Sequence, residues 1–192
     1  MNLVELLEKF RSSEYHYPDV IWHEVRAKKL KEIISEKLVG MTRDEFKNLL
    51  LSNLFMKPRI PEQTINDIIS QNDFVEVKRR INSLFLGTGS IKERIQSVMD
   101  LKGVGPYLAS QLVAAVGDDE YAVYHPKVVE GMKELLPHLD DWQFFNFDES
   151  TAEGYLWFNE ICKAVKKIFN FKSLGEVHEF FWHGHDSKWE FR

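Results

Sequence analysis

The chain has 192 residues, 44% of them hydrophobic and 13% aromatic, which suits one compact domain with a substantial core and excludes a disordered tail. A single cysteine, Cys162, excludes an intrachain disulfide, a four-cysteine zinc site and a four-thiolate iron–sulfur cluster built by this chain alone, and reads as an intracellular, cytoplasmic residence. With 25 basic against 30 acidic residues the net charge is −5, which excludes a surface coated in positive charge for bulk nucleic-acid binding.

Helix signals recur along nearly the whole chain, and no segment alternates apolar and polar residues long enough to make a strand. The predicted fold class is all-α, one helical domain over 1–192. The start predicts a short helix from Leu3 to Phe10; Glu5, Glu8 and Lys9 interrupt its apolar pattern, so it lacks the core of a signal peptide, and no later run reaches membrane-spanning length. A helix over Asp19 to Val39 follows, with Gly40 as its stop, and Thr42 with Glu45 predicts a capping box for the next. Two prolines break "MKPRIPEQ", and "TINDIIS" predicts one or two helical turns. Asp73 with Glu76 predicts another box, opening a helix whose Phe74, Val77, Ile81 and Leu84 share one stripe and which Gly87 ends. "GTGS" lacks the Walker spacing and its lysine, so Ser90 and Glu93 read as a third box, starting a helix to about Met99.

The stretch "LKGVGPYLASQLVAAV", Leu101 to Val116, then sets a tight glycine turn at the mouth of a helix that Pro106 can open and Gly117 can stop. Glycines there permit positive φ and let another backbone approach, while the helix start directs N–H groups and a positive dipole end outward, a site suited to a phosphate oxygen. Lys102 adds a charge beside it. Further on, Pro126 opens a helix to about Leu136, "PHLDDWQFFNFDES" is irregular, Ser150 with Glu153 predicts the cap of a long helix to about Asn170, and Ser173 with Glu176 caps the last.

"LKGVGPYLAS" resembles the hairpin of the helix-hairpin-helix DNA-binding motif, here over residues 101–106, and its place in an all-α chain is similar to the DNA glycosylase superfamily built around that hairpin. The resemblance implies a helix-hairpin-helix, DNA glycosylase-like helical domain in which Lys102, Gly103, Val104, Gly105, Tyr107 and Lys127 meet double-stranded DNA. In the catalytic members a lysine follows the hairpin glycines and a loop after the next helix delivers an aspartate. Here Tyr107 holds the lysine position and Tyr124 or His125 the aspartate position, and neither residue type offsets the positive charge that develops on a sugar as its base departs.

The longer pattern, "LKGVGPYLASQLVAAVGDDEYAVYHPKVVEGMKELL" with the later "LGEVHEFFWH", resembles hairpin domains of modification-dependent restriction and antiphage defence systems, including those attached to McrB-type ATPases. That resemblance implies a reader of a modified or flipped base, with an ATPase or nuclease subunit or fused domain as partner and no cofactor. Tyr124, His125, Trp142 and Phe145 would then form the base pocket. An active glycosylase is the alternative, with His125, Asp118, Asp119 or Asp148 activating water. A protein-interaction module in which the hairpin is only a turn is the second.

Other groups carry bland readings as well. The basic clusters Arg26 to Lys31, Lys78 to Arg80 and Lys163 to Lys167 read as solvated helix faces, and most of the aromatic group, Trp157, Phe158 and Phe180 to Trp182 included, reads as core. His178, His183, His185 and Asp186 are metal-capable in type, but their spacing fits no standard zinc motif and reads as a terminal, solvent-facing cluster partly packed on the Trp residues.

Overall fold

The computed structural model describes residues 3–53, 62–117, 119–136 and 146–187. Among these, every regular element is helical: α1 (Leu3–Ser12), α2 (His16–Lys37), α3 (Arg43–Asn53), α4 (Glu62–Gln71), α5 (Phe74–Leu86), α6 (Ile91–Met99), α7 (Pro106–Ala114), α8 (Pro126–Leu135), α9 (Ala152–Ile168) and α10 (Leu174–Ser187), with a 3-10 turn, Leu38–Gly40, after α2. No helix among the described residues is long and apolar enough to cross a membrane.

Several starts are set locally. Ser90 opens α6 with a full capping box: its hydroxyl accepts the Glu93 N–H at 3.3 Å and Glu93 Oε2 accepts the Ser90 N–H at 3.2 Å. Thr42 and Glu45 make the same exchange before α3, at 3.3 and 2.8 Å. Two other predicted boxes form differently. Asp73 caps α5 by accepting from the Val75 N–H at 2.9 Å, but Glu76 turns away to take Arg79 and Arg80, since a carboxylate gains more from two guanidinium donors than from one backbone N–H. Thr151, not Ser150, caps α9, accepting from the Gly154 N–H at 3.0 Å, while Ser150 closes a turn on Asp148 and Glu153 pairs with Lys92.

The remaining differences are of length. α2 begins three residues before Asp19, because Pro18 falls in its first turn, where a missing N–H goes unused. α4 extends the predicted "TINDIIS" to ten residues, and its buried Ile65, Ile68 and Ile69 supply the packing that short helices need.

α10 is the hub: it packs on α8, α2 and α9, while α5 pairs with α6 and α2, and α6 with α9. An aromatic nucleus lies where α1 meets α10, Phe10 edge-on to Phe180 at 5.6 Å and Phe180 against Phe171 at 5.3 Å, each buried ring contributing about 1.5–3 kcal/mol. Gly131 sets the α8–α10 approach, since a Cβ there would lie 2.6 Å from the Phe181 carbonyl oxygen. Beside the nucleus, the fully buried Glu176 carboxylate accepts from Arg11 Nε (2.7 Å) and Nη2 (3.1 Å), from the Lys172 N–H (2.5 Å), and pairs with His16 Nε2 (3.0 Å), tying α1 and α2 to the start of α10. Trp157, predicted in the core, is 47% exposed on α9, whereas Phe158 beside it is fully buried; the helix turns one aromatic in and the next one out.

Candidate nucleic-acid interface and the polar cluster behind it

The hairpin is closed by its own backbone and then fastened from outside. Buried Leu101 anchors it, and the Val104 N–H donates to the Leu101 carbonyl at 3.0 Å. Gly103 sits at φ +83°, and a Cβ there would approach Ile68 Cγ1 to 3.1 Å, so both conformation and space favour glycine. Asn72, just past the end of α4, clasps the residue before that glycine: its Oδ1 accepts the Lys102 N–H and its Nδ2 donates to the Lys102 carbonyl, each at 3.0 Å, with a further bond to the Ile68 carbonyl at 2.8 Å.

Gly105 then precedes α7 in an extended conformation, with Pro106 as first helical residue and no side-chain cap. Lys102, Gly103 and Gly105 are exposed, and Val104 is half-buried against the core. The arrangement offers a helix start and one lysine on a rigid turn. Asp100 precedes it in sequence and Asp73 follows its partner Asn72, which keeps any positive field local.

The loop into α8 is tied inward. The Ala122 N–H donates to Asn159 Oδ1 at 2.7 Å, the Tyr155 hydroxyl donates to the Ala122 carbonyl at 2.9 Å, and the Tyr124 N–H donates to Ser110 Oγ at 2.9 Å. The Tyr124 ring consequently packs against Phe158 and Phe147, 6% exposed; burial, aided by the Glu149 and Glu130 carboxylates, pushes its phenol up to about 12. A stacking face open to a base is not what the ring presents.

His125 is half-buried and caps α8, its Nδ1 accepting the Lys127 N–H at 3.1 Å, which places the proton of the neutral ring on Nε2. Its ring meets Tyr107 edge-on at 5.1 Å and Trp182 at 4.1 Å, and Lys127 Nζ lies 5.1 Å over the Trp182 ring. Tyr107 and Lys127 therefore sit beside His125 and extend the hairpin face.

Behind this aromatic row lies a polar cluster whose Gln111 and Glu179 the sequence reading did not single out. Gln111, four residues after Tyr107 on α7, is fully buried, and neither amide atom has a hydrogen bond among the described residues. Burial pushes the Tyr107 phenol up, the Glu179 carboxylate adds to that, and the neighbouring Gln111 amide opposes it. Buried Glu179 pairs with His183 Nε2 at 3.0 Å, and Tyr15 stacks on His183 at 4.5 Å. His178 is buried too, its Nδ1 donating to the Val123 carbonyl at 3.1 Å, and its ring stacks on Trp182. His178, His183 and His185 thus belong to the packed interior and the α8 contact, His185 lying 3.3 Å from Glu130; the expected packing on Trp is met by His178 against Trp182, while the expected solvent-facing placement is not. Among the described residues no three metal-capable side chains come together.

The carboxylates proposed to activate water have local partners. Asp119, at φ +58°, accepts from the Leu174 N–H at 2.6 Å and pairs with Lys166, fixing the start of α10. Asp148 accepts from the Ser150 N–H and hydroxyl, which hold its carboxyl below the ordinary value, and it borders an open cavity of about 490 Å³ lined by Phe147, Thr151, Gly154 and Trp157. Asp118, Trp142 and Phe145 lie outside the described residues. The basic cluster on α5 is occupied as well: Lys78 Nζ donates to the Val39 and Met41 carbonyls at 2.8 and 3.0 Å, and Arg80 to the Ser97 carbonyl at 2.7 Å.

A buried glutamine among the apolar neighbours Leu108 and Leu112, and the i,i+4 pair of Glu179 and His183, are the signals through which the inner cluster was visible in the sequence. Asn72 had none, because its target is 30 residues away. No protein-family model matches the chain, and a search of curated proteins finds no match.

Proposed function

We propose that this chain binds double-stranded DNA through the 101–106 hairpin, a phosphate oxygen resting against Lys102 and the start of α7, and that the adjoining half-buried Tyr107 and His125 meet a modified or extruded base. The observation that carries the reading is the left-handed Gly103 turn held by Asn72 at the uncapped start of α7. Its role is recognition without chemistry, a reading supported by the local partners that already engage His125, Asp119 and Asp148. The setting, restriction or antiphage defence with an ATPase or nuclease partner, is supported by the sequence resemblance.

Gly105 provides the test. A Cβ there meets nothing within 4 Å, and an aspartate at that position caps α7, adding about 0.5–1 kcal/mol of stability while placing a negative charge where the phosphate would sit. Gly105→Asp with Lys102→Glu should weaken retention of ordinary, methylated, hydroxymethylated and glucosylated cytosine duplexes about equally and flatten the salt dependence, by a slope of about 0.9 per lost phosphate contact. Undiminished retention by the folded double variant would sink the grip; alkali-labile abasic sites in the same incubations would replace recognition with base excision.

A further inference from the structure

Gln111 is the feature that the phosphate grip leaves unexplained. Leaving a buried amide unpaired costs about 1–3 kcal/mol per group, and buried polar atoms without partners are rare enough that each asks for a reason. The residue lies one helical turn beyond Tyr107, on the same face of α7, with buried Leu108 and Leu112 beside it. Tyr107 is half-buried and marks the surface end of that stripe.

The geometry points to Gln111 as the recognition group of a pocket gated by Tyr107, which takes the uncharged edge of a planar heterocycle carrying one donor beside one acceptor, as a nucleobase does. The assignment of a nucleobase rests on the DNA-binding reading; the chemistry of the edge does not. A carboxamide offers a donor and an acceptor side by side, so it is satisfied by a matching pair and by neither an apolar ring nor a lone ion. The Glu179 carboxylate near Tyr107 disfavours an anion at this depth, which separates the pocket from the phosphate site at the hairpin. Tyr107 lies edge-on to His125 at the surface end of the stripe, and a ring entering there would find the aromatic edges of His125 and Trp182 beside it. Because the Watson–Crick edge is engaged, a substituent on the far side of a pyrimidine is not read by Gln111.

The test uses free nucleosides, so it does not depend on the grip. The Gln111 side-chain amide signals of the ¹⁵N-labelled protein are followed against deoxyadenosine, deoxycytidine and thymidine and against N6,N6-dimethyldeoxyadenosine, N4,N4-dimethyldeoxycytidine and N3-methylthymidine, whose edges are blocked. At least one unblocked nucleoside should shift those signals saturably, with its blocked counterpart binding about tenfold or more weakly, the loss expected for one unmade buried hydrogen bond. Gln111→Met, apolar and of similar length, should raise the melting temperature because it removes two unsatisfied polar atoms, and should abolish nucleoside binding. Absence of any nucleoside shift, equal binding of blocked and unblocked forms, or a Gln111→Met variant that melts lower than the parent chain overturns the assignment, the last by showing that a trapped water already satisfies the amide. The wild-type titration decides the matter even if the variant does not fold. Nucleoside binding that persists in the Gly105→Asp, Lys102→Glu double variant, where the duplex contact is removed, separates a failure of the grip from a failure of the pocket.

Discussion

Glu176→Gln is expected to be the most damaging conservative change in the chain. The substitution keeps the side chain's shape but replaces one acceptor oxygen with an amide nitrogen, which then faces the donors of Arg11, His16 or the Lys172 N–H. Breaking a buried ion pair by removing one partner costs about 3–5 kcal/mol. Arg11 retains some access to water, its side chain 27% exposed against 0% for Glu176, so the lower end applies, about 3 kcal/mol. For a domain of this length that corresponds to a melting point lower by about 6–12 °C.

The pH dependence has a definite sign. Burial raises the Glu176 carboxyl, but the bonds from Arg11, the Lys172 N–H and His16 together outweigh it and hold the group below its ordinary 4.5. A carboxyl lowered by folding contributes stability that is complete above about pH 4.5 and is lost as the pH falls through the lowered value. Urea unfolding followed by far-ultraviolet circular dichroism should therefore show the full difference between parent and variant at pH 7, shrinking below pH 4.5. A variant within about 0.5 kcal/mol of the parent at pH 7 would place it among ordinary surface changes and refute the reasoning.

Asn72→Leu should cost about 1–2 kcal/mol, because the Lys102 backbone it abandons is exposed and can turn to water, but amide exchange across residues 102–105 should quicken and duplex affinity should fall with it. Unaltered exchange there would mean that the Gly103 turn alone keeps the hairpin rigid. Cys162 is fully buried and burial pushes its thiol well up, so iodoacetamide should leave the native protein unmodified and label one thiol per chain in denaturant; rapid labelling without denaturant would contradict the packing of α9.

Local chemistry made much of the fold legible. The boxes at Thr42 and Ser90, the proline opening α7 and the glycine turn before it act over a few residues, and there the sequence suffices, because partner and target are covalent neighbours. Where two nearby partners competed, short range was not enough: Glu76 had both a cap and two arginines within reach and took the arginines. The candidate site divides in the same way. Lys102, Gly103 and Gly105 were readable as a turn that opens a helix, but that Asn72 holds it rigid depends on how α4 lies against the hairpin.

Tertiary packing alone turned Tyr124 inward onto Phe158, spent Asp119 on the start of α10, and set Glu179 and His183 of α10 behind Tyr107 of α7. A periodic stripe says which face of a helix is buried; what that face meets is decided by the crossing of helices far apart in the chain, and for Gln111 the crossing supplied no hydrogen-bond partner among the described residues.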